Sequence, residues 1–445
     1  EARLNSLPQF VTKIDGVDIH FIHVKSRHET ALPLIMTHGW PGSVIELLET
    51  VGPLTDPTAH GGRAEDAFHL VLPSLPGYGF SGEPADLGWD ASRTARAWAE
   101  LMDRLGYSRY VAQGGDVGAT VTDAMGRQGP EGVLGIHVKS QHENAIPLIM
   151  THGWPGSVIE LLETIGPLTD PTAHGGTPED AFHLVLPSLP GYGFSGEPTE
   201  LGWENGPIAR AWAELMDRLG YTRYVAQGGD VGAAVTDAMG RQAPEGLLGI
   251  HVNLLALAIG LKDQLPAESE QERAAHKALE TFTTDGFGYF LEQSTRPQTI
   301  GYSLLDSPIG LAAWMLDHDT DSYYKISRAF VDGEPVGNLT RDNIVDNITL
   351  YWLTGTGASA ARWYWEFGRF LAAAGASGQA PPAVSVPVGF TAFPGEIWAA
   401  PRSWVETAYP GLAYFNEVDR GGHFAAWEEP ELFSAEVRAV FRSLR

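Results

Sequence analysis

The sequence contains no cysteine, which removes disulfides, thiolate metal sites and a cysteine nucleophile from consideration. Positive charge is scarce as well: 29 Lys and Arg stand against 55 Asp and Glu, a net charge of −26. Such a chain repels phosphate backbones and anionic lipid, so neither nucleic acid nor a membrane surface is expected as a partner. No run of about 18 apolar residues suggests a membrane span. Residues 1–10 also lack the basic-then-apolar pattern of a secretion signal, so a cytoplasmic location is expected. No phosphate loop and no cluster of metal-ligating residues is found, and no cofactor is expected. Apolar residues, by contrast, make up 43% of the 445 positions, enough for a large buried core.

The most conspicuous feature is a repeat. The run T-H-G-W-P-G-S-V-I-E-L-L-E-T occurs at Thr37 to Thr50 and again at Thr151 to Thr164, an offset of 114 positions from His38 to His152. The same offset relates residues 22–135 to residues 136–249, with about one position in seven changed. Ile-His-Val opens both blocks and follows the second at Ile250, as a tandem duplication would leave it. A block this long, with several alternating elements, reads as a duplicated piece of one domain rather than a solenoid unit.

Within each block, short β-rich runs alternate with helical patterns, the signature of a mostly parallel sheet flanked by helices. In the second copy, strands are expected at Pro147 to Thr151, Phe182 to Pro187, Tyr224 to Gln227 and Leu247 to Val252. Helices are expected from Ser157, over Ala209 to Leu219 and over Ala233 to Arg241. From Leu254 to Pro382 the chain is helical and aromatic, after which Val384 to Phe390 and Ala413 to Val418 read as two more strands. The expected organisation is therefore a core at 1–253, a helical lid at 254–382 and a returning core segment at 383–445.

Three motifs carry chemistry. The strand ending in G-G-D-V-G places Asp230 on a tight turn before a helix, where an esterase would hold its serine. Asp116 has the same place in the first copy. A carboxylate there can attack carbon and form an ester that water later cleaves, although Gly-Asp-x-Gly also occurs in plain surface turns. Upstream, H-G-W-P-G-S at His152 to Ser157 can aim backbone amides at an oxyanion. Near the end, R-G-G-H-F sets His423 beyond the last strand, and Glu396 in F-P-G-E can orient it, giving the order nucleophile, acid, histidine.

These motifs, with P-S-L-P-G-Y-G-F-S-G, S-T-R-P-Q-T-I-G-Y, D-S-P-I-G-L-A-A-W, Y-W-L-T-G-T and R-G-G-H-F-A-A-W-E-E-P, resemble the microsomal-like, juvenile-hormone type epoxide hydrolases over nearly the whole chain. The resemblance implies an α/β-hydrolase fold and a two-step reaction on a small hydrophobic epoxide, with water as the second reactant. It makes Asp230 the nucleophile, His423 the base and Glu396 its orienting acid. It makes the lid tyrosines Tyr289 and Tyr364 the proton donors, and the Trp154 and Val231 amides the oxyanion hole. Val231 departs from the tryptophan of many relatives; since its backbone N–H is what matters, the chemistry should survive.

The duplication raises the question of which copy works. A single sheet has room for one set of these strands, so the copies are expected to compete for it. The second copy runs directly into the lid, Glu396 and His423, whereas the first would need a large insertion beside the catalytic centre; this favours Asp230 over Asp116. A spare block would expose apolar strand edges, which leaves a homodimer open. The competing functions are a haloalkane dehalogenase, which has no need of tyrosine acids, and a non-catalytic hydrolase-like binding protein inactivated by the duplication.

Overall fold

Each β-branched run of the repeats forms a strand, and the amphipathic stretches between them form helices. The structure is a computed structural model, and it describes residues 2–128, 133–140, 142, 144–317, 325, 328, 329, 333, 337–377 and 382–445. It divides into two compact units, residues 1–145 with 182–185 and residues 146–181 with 186–445.

In the first unit, β1 (Gln9–Ile14) and β2 (Val17–Val24) make an antiparallel hairpin. Its Asp15-Gly16 turn has both residues at positive φ, as a tight two-residue hairpin requires. β2 pairs antiparallel with β4 (Phe68–Pro73), while β4, β3 (Leu32–Thr37), β5 (Tyr110–Gly115) and β6 (Val133–Lys139) run parallel in that order. In the second unit, β7 (Ile146–Thr151), β9 (Tyr224–Gly228), β10 (Leu247–Val252), β11 (Val388–Ala392) and β12 (Leu412–Glu417) are parallel neighbours in that order. β8 (Phe182–Pro187) has the place in the second repeat that β4 has in the first.

The helices follow from spacing and caps. Helix Asn205–Arg218 buries Ile208, Trp212 and Met216, one face at four-residue spacing, and Glu204 caps its start. The Trp212 indole donates to Thr151 Oγ1 at 3.1 Å, and Trp98 donates to Thr37 in the same way at 3.0 Å. After β10 come the helices Glu270–Thr281, Gly288–Thr295, Pro297–Asp306, Pro308–Leu316, Arg341–Thr354 and Gly357–Ser377. Capping boxes at Ser269 and Thr340 start two of them. No helix among the described residues is long and apolar enough to cross a membrane.

Three expectations change. The copies do not compete for one set of positions, because each forms its own strands and helices. The strand expected from Val384 starts at Val388; Pro387 has no N–H to give the ladder, and its carbonyl instead accepts from Ile250 at 3.0 Å. The helix expected from Ser157 begins as a 3₁₀ turn, Val158–Thr164, capped by the Ser157 hydroxyl, and becomes α-helical only at Ile165–Thr169.

The turn between β9 and helix Asp230–Gln242 positions the site. Asp230 has φ 48, in the left-handed region, a strain of roughly 1–3 kcal/mol for a residue with a Cβ. A side chain on Gly232 would put its Cβ 1.9 Å from the Thr151 carbonyl oxygen, so only glycine lets the helix start this close to β7. Gly232→Ala should therefore destabilise the protein by about 2–4 kcal/mol, seen as a lower midpoint in urea unfolding followed by tryptophan fluorescence. An unchanged midpoint would show that the close approach is not needed.

Candidate active site

The second unit holds all seven residues singled out by sequence, and it brings them together. Asp230 stands on its turn after β9. Glu396 lies on the loop after β11 and His423 on the loop after β12, where neighbouring parallel strands end side by side. His423 Nδ1 donates to Glu396 Oε1 at 2.5 Å, and its Nε2 lies 3.3 Å from Asp230 Oδ2. The histidine and Glu396 are buried. Burial alone would lower the imidazole pKa, but the negative charges of Glu396 and Asp230 overcome it and raise the pKa well above the ordinary value.

The Trp154 amide donates to Asp230 Oδ1 at 2.7 Å, so an oxygen on that carbon already meets one of the two expected donors. The second, the Val231 amide, follows Asp230 directly at the buried start of its helix. Above them, the Trp154 ring stacks on Tyr289 with centroids 5.3 Å apart, and Tyr364 packs edge-on to both at 5.7 and 5.8 Å. Burial, then the nearby Tyr289 and Asp230, pushes the Tyr364 phenol well above its usual range. Both tyrosines, Asp230 and Val231 line a cavity of about 60 Å³ whose other walls include Phe290, Trp363 and Trp398. Its lining is almost wholly apolar, as a pocket for a hydrophobic small molecule would be. Among the described residues no group of three or more His, Asp or Glu is arranged to hold a metal ion.

Several contributors were not singled out from sequence. His152 is buried, takes the Leu189 amide on Nε2 at 3.0 Å and gives Nδ1–H to the Gly153 carbonyl at 2.9 Å. Burial holds its pKa near 4, so it is a neutral spacer. From helix Arg341–Thr354, Asn347 donates to the Pro155 carbonyl at 2.7 Å and Tyr351 to the Gly156 carbonyl at 2.6 Å, fixing the same loop. Tyr351 opens Y-W-L-T-G-T, the segment that could have flagged it. Glu160, in the repeated run after the loop, is buried with its pKa pushed up to about 8, first by burial and then by Asp230.

The first unit lacks this assembly. Asp116 sits on an identical turn at φ 54 and receives the Trp40 and Val117 amides, but among the described residues no imidazole reaches it. Trp40 is 65% exposed, whereas its equivalent Trp154 is 1% exposed. Ile45, Phe80 and Leu87 of the same copy are exposed too.

Comparison with known proteins agrees with this picture. A family model described as "Epoxide hydrolase N terminus" matches residues 1–47 and 127–161, ending at equivalent points of the two repeats. A model described as "alpha/beta hydrolase fold" matches residues 146–302, beginning in the second copy. The chain is 52% identical over 318 residues to a protein of Stigmatella aurantiaca (strain DW4/3-1) that bears the provisional name of an epoxide hydrolase, covering 71% of this chain and 68% of that one. It is 31% identical over 439 residues to epoxide hydrolase 1 of Oryctolagus cuniculus, covering 98% and 74%. The solved structure of juvenile hormone epoxide hydrolase from the silkworm Bombyx mori shares the fold, with a TM-score of 0.56 at 23% identity over 99% of this chain and 80% of that one.

The raised His423 pKa has a sign that can be tested. A folded-state value above the unfolded one contributes stability that is full below about pH 6.5 and is lost as pH rises through the raised value. The resting imidazole should accordingly remain protonated at neutral pH in an NMR titration, and Asp230→Asn should lower its pKa. A titration near the ordinary histidine value that ignores the Asp230 change would contradict the geometry.

Proposed function

The chain belongs to the epoxide hydrolase family and has the α/β-hydrolase fold, and from that premise we propose that it opens hydrophobic epoxides to vicinal diols through an ester on Asp230. The observation that carries this reading is the Asp230 carboxylate, which lines an apolar cavity walled by two tyrosines and lies 3.3 Å from the His423 imidazole, itself 2.5 Å from Glu396. In this reading residues 254–382 act as the lid and residues 383–445 as the returning core segment.

In the first step an Asp230 oxygen attacks one epoxide carbon and the ring C–O bond breaks. The departing oxygen takes a proton from Tyr289 or Tyr364, leaving a tyrosinate and an alkyl ester. Buried phenols are weak acids while Asp230 is charged. As the carboxylate charge is spent on the new bond, donation becomes easier. Acid help of this kind is typically worth ~10²–10⁴ in rate.

Esterification removes one of the two charges that raise the His423 pKa, so before water adds the imidazolium passes its resting proton to the tyrosinate and becomes a usable base. In the second step water adds to the ester carbon and gives a proton to His423. The oxyanion is held by the Trp154 and Val231 amides. Collapse expels the diol oxygen, which takes the water-derived proton from His423; the remaining proton of the water, left on the Asp230 carboxyl, passes to His423 and restores the resting carboxylate and imidazolium.

Intact-mass spectrometry after rapid mixing with a hydrophobic epoxide, run beside diol analysis, tests the assignment. Asp230→Asn should abolish both adduct and diol, while Asp116→Asn should leave both unchanged; the opposite pattern would transfer the site to the first copy. Tyr289→Phe and Tyr364→Phe should each slow ring opening about 10–100-fold, and the double variant more. Rates unaffected by either change would remove the tyrosines from the mechanism.

A further inference from the structure

The two-step reading leaves one buried carboxyl without a task. Glu160 Oε1 accepts from the Gly153 amide at 3.3 Å, while its Oε2 is buried with no hydrogen-bond partner. Glu160 borders a small chamber that shares no lining residue with the apolar cavity. Thr151, Gln227, Asn253 and His423 form its polar walls. Gln227 brings a second orphan, a buried Oε1 without a partner, while its Nε2 donates to Asn253 Oδ1 at 3.2 Å. Buried polar atoms are rarely left unpaired, and a buried water takes two to four polar partners. The space in the chamber open to a water centre measures about 10 Å³, room for about one such water.

The first copy supplies a control. Glu46, at the equivalent position, accepts from the Gly39 amide at 3.0 Å in the same way, yet it is exposed. Bracing the loop therefore needs no burial. What Glu160 has and Glu46 lacks is the chamber wall formed by His423 and Phe424. Burial, reinforced by the Asp230 charge in the resting state, pushes the Glu160 pKa up. Burial, the larger cause, persists once Asp230 is esterified, which makes one of the Glu160 oxygens a hydrogen-bond donor.

Building on the epoxide-opening reading, we propose that Glu160 and Gln227 position the hydrolytic water for His423 in this chamber. The water donates one proton toward His423 Nε2 and the other to Gln227 Oε1, and it accepts a hydrogen bond from the Glu160 carboxyl. One lone pair is left to add to the Asp230 ester carbon. The proton given up passes to His423 as in the second step above, and Glu160 begins and ends protonated. Glu160 is thus a positioning residue that acts on hydrolysis and not on ring opening.

The test separates the two half-reactions in the 445-residue chain, with styrene oxide as probe, rapid quenching and intact-mass detection of the Asp230 adduct. Gln227→Met should form the adduct at the wild-type rate but hydrolyse it about tenfold more slowly or worse, so that it accumulates, and Glu160→Leu, which also removes the brace to the Gly153 amide, should slow hydrolysis more than ring opening. Glu160→Gln, which keeps a neutral donor, should stay within about threefold of wild type in hydrolysis. If ring opening and hydrolysis fall together in Glu160→Leu and Gln227→Met, or if neither changes, the proposal is overturned. Should Glu160→Leu fail to fold, Gln227→Met decides alone, since the Gly153 amide bonds to Glu160 and the Gln227 side chain to Asn253. A wild-type protein that gives neither adduct nor diol would sink the epoxide-opening reading itself, an outcome distinct from normal turnover without a hydrolysis defect.

Discussion

A histidine buried between two carboxylates sets the terms for the rest of the second unit. Removing a charge from water is expensive unless it is paired at close range, and here one imidazole is paired twice, to Glu396 and Asp230. The arrangement exists only because three chain segments end near one another: the turn after β9 and the loops after β11 and β12. It also explains the state of Glu160. Two carboxylates already face one imidazolium, so a third anion in the same interior would be uncompensated, and that group holds its proton instead. Around this centre the helices after β10 contribute Asn347, Tyr351, Tyr289 and Tyr364, which brace the H-G-W-P-G loop or pack on its Trp154 ring.

The repeat separates the features that local sequence dictates from those that tertiary context dictates. Both copies make the same strand, the same left-handed aspartate, the same carboxylate brace to a glycine amide and the same tryptophan–threonine hydrogen bond. These features depend on neighbours within the repeat, so duplication reproduces them. Burial is not reproduced, because the residues that cover Trp154 and Glu160 come from positions beyond 249. Trp40 and Glu46 carry the same sequence and remain exposed. A motif is therefore necessary for the site but does not complete it.

For the same reason the sequence was legible in an uneven way. Strand–helix alternation, both aspartate turns, Glu396 and His423 could be read from turn chemistry and chain order, since each rests on local spacing. The preference for Asp230 could be argued from chain order too, because the lid, Glu396 and His423 all lie downstream of the second repeat. Tyr289 and Tyr364 were legible only through family resemblance, because an aromatic on a lid helix looks like core until its neighbours are known. His152, Glu160, Asn347 and Tyr351 escaped notice because their importance lies in partners 37 or more residues away, or in burial. The expectation of competing copies failed because it treated the repeated block as spare strands, whereas the first block brings its own helices and joins the β1–β2 hairpin that precedes it in a separate unit.

In the proposed mechanism, the order in which charge moves explains why this centre tolerates so much buried polarity. In the resting state the two carboxylates hold the imidazole protonated, which makes it useless as a base but keeps Asp230 ionised and ready to attack. Attack on carbon consumes the Asp230 charge, and the proton needed by the opening ring comes from a phenol whose reluctance was due partly to that charge. With the ester formed, only Glu396 still supports the imidazolium, so His423 can release its proton and then accept one from water. Each step thus removes the electrostatic obstacle to the next. Had Glu160 been ionised, a fixed second anion would have continued to hold the imidazole protonated through the ester stage, and the base would not have been freed.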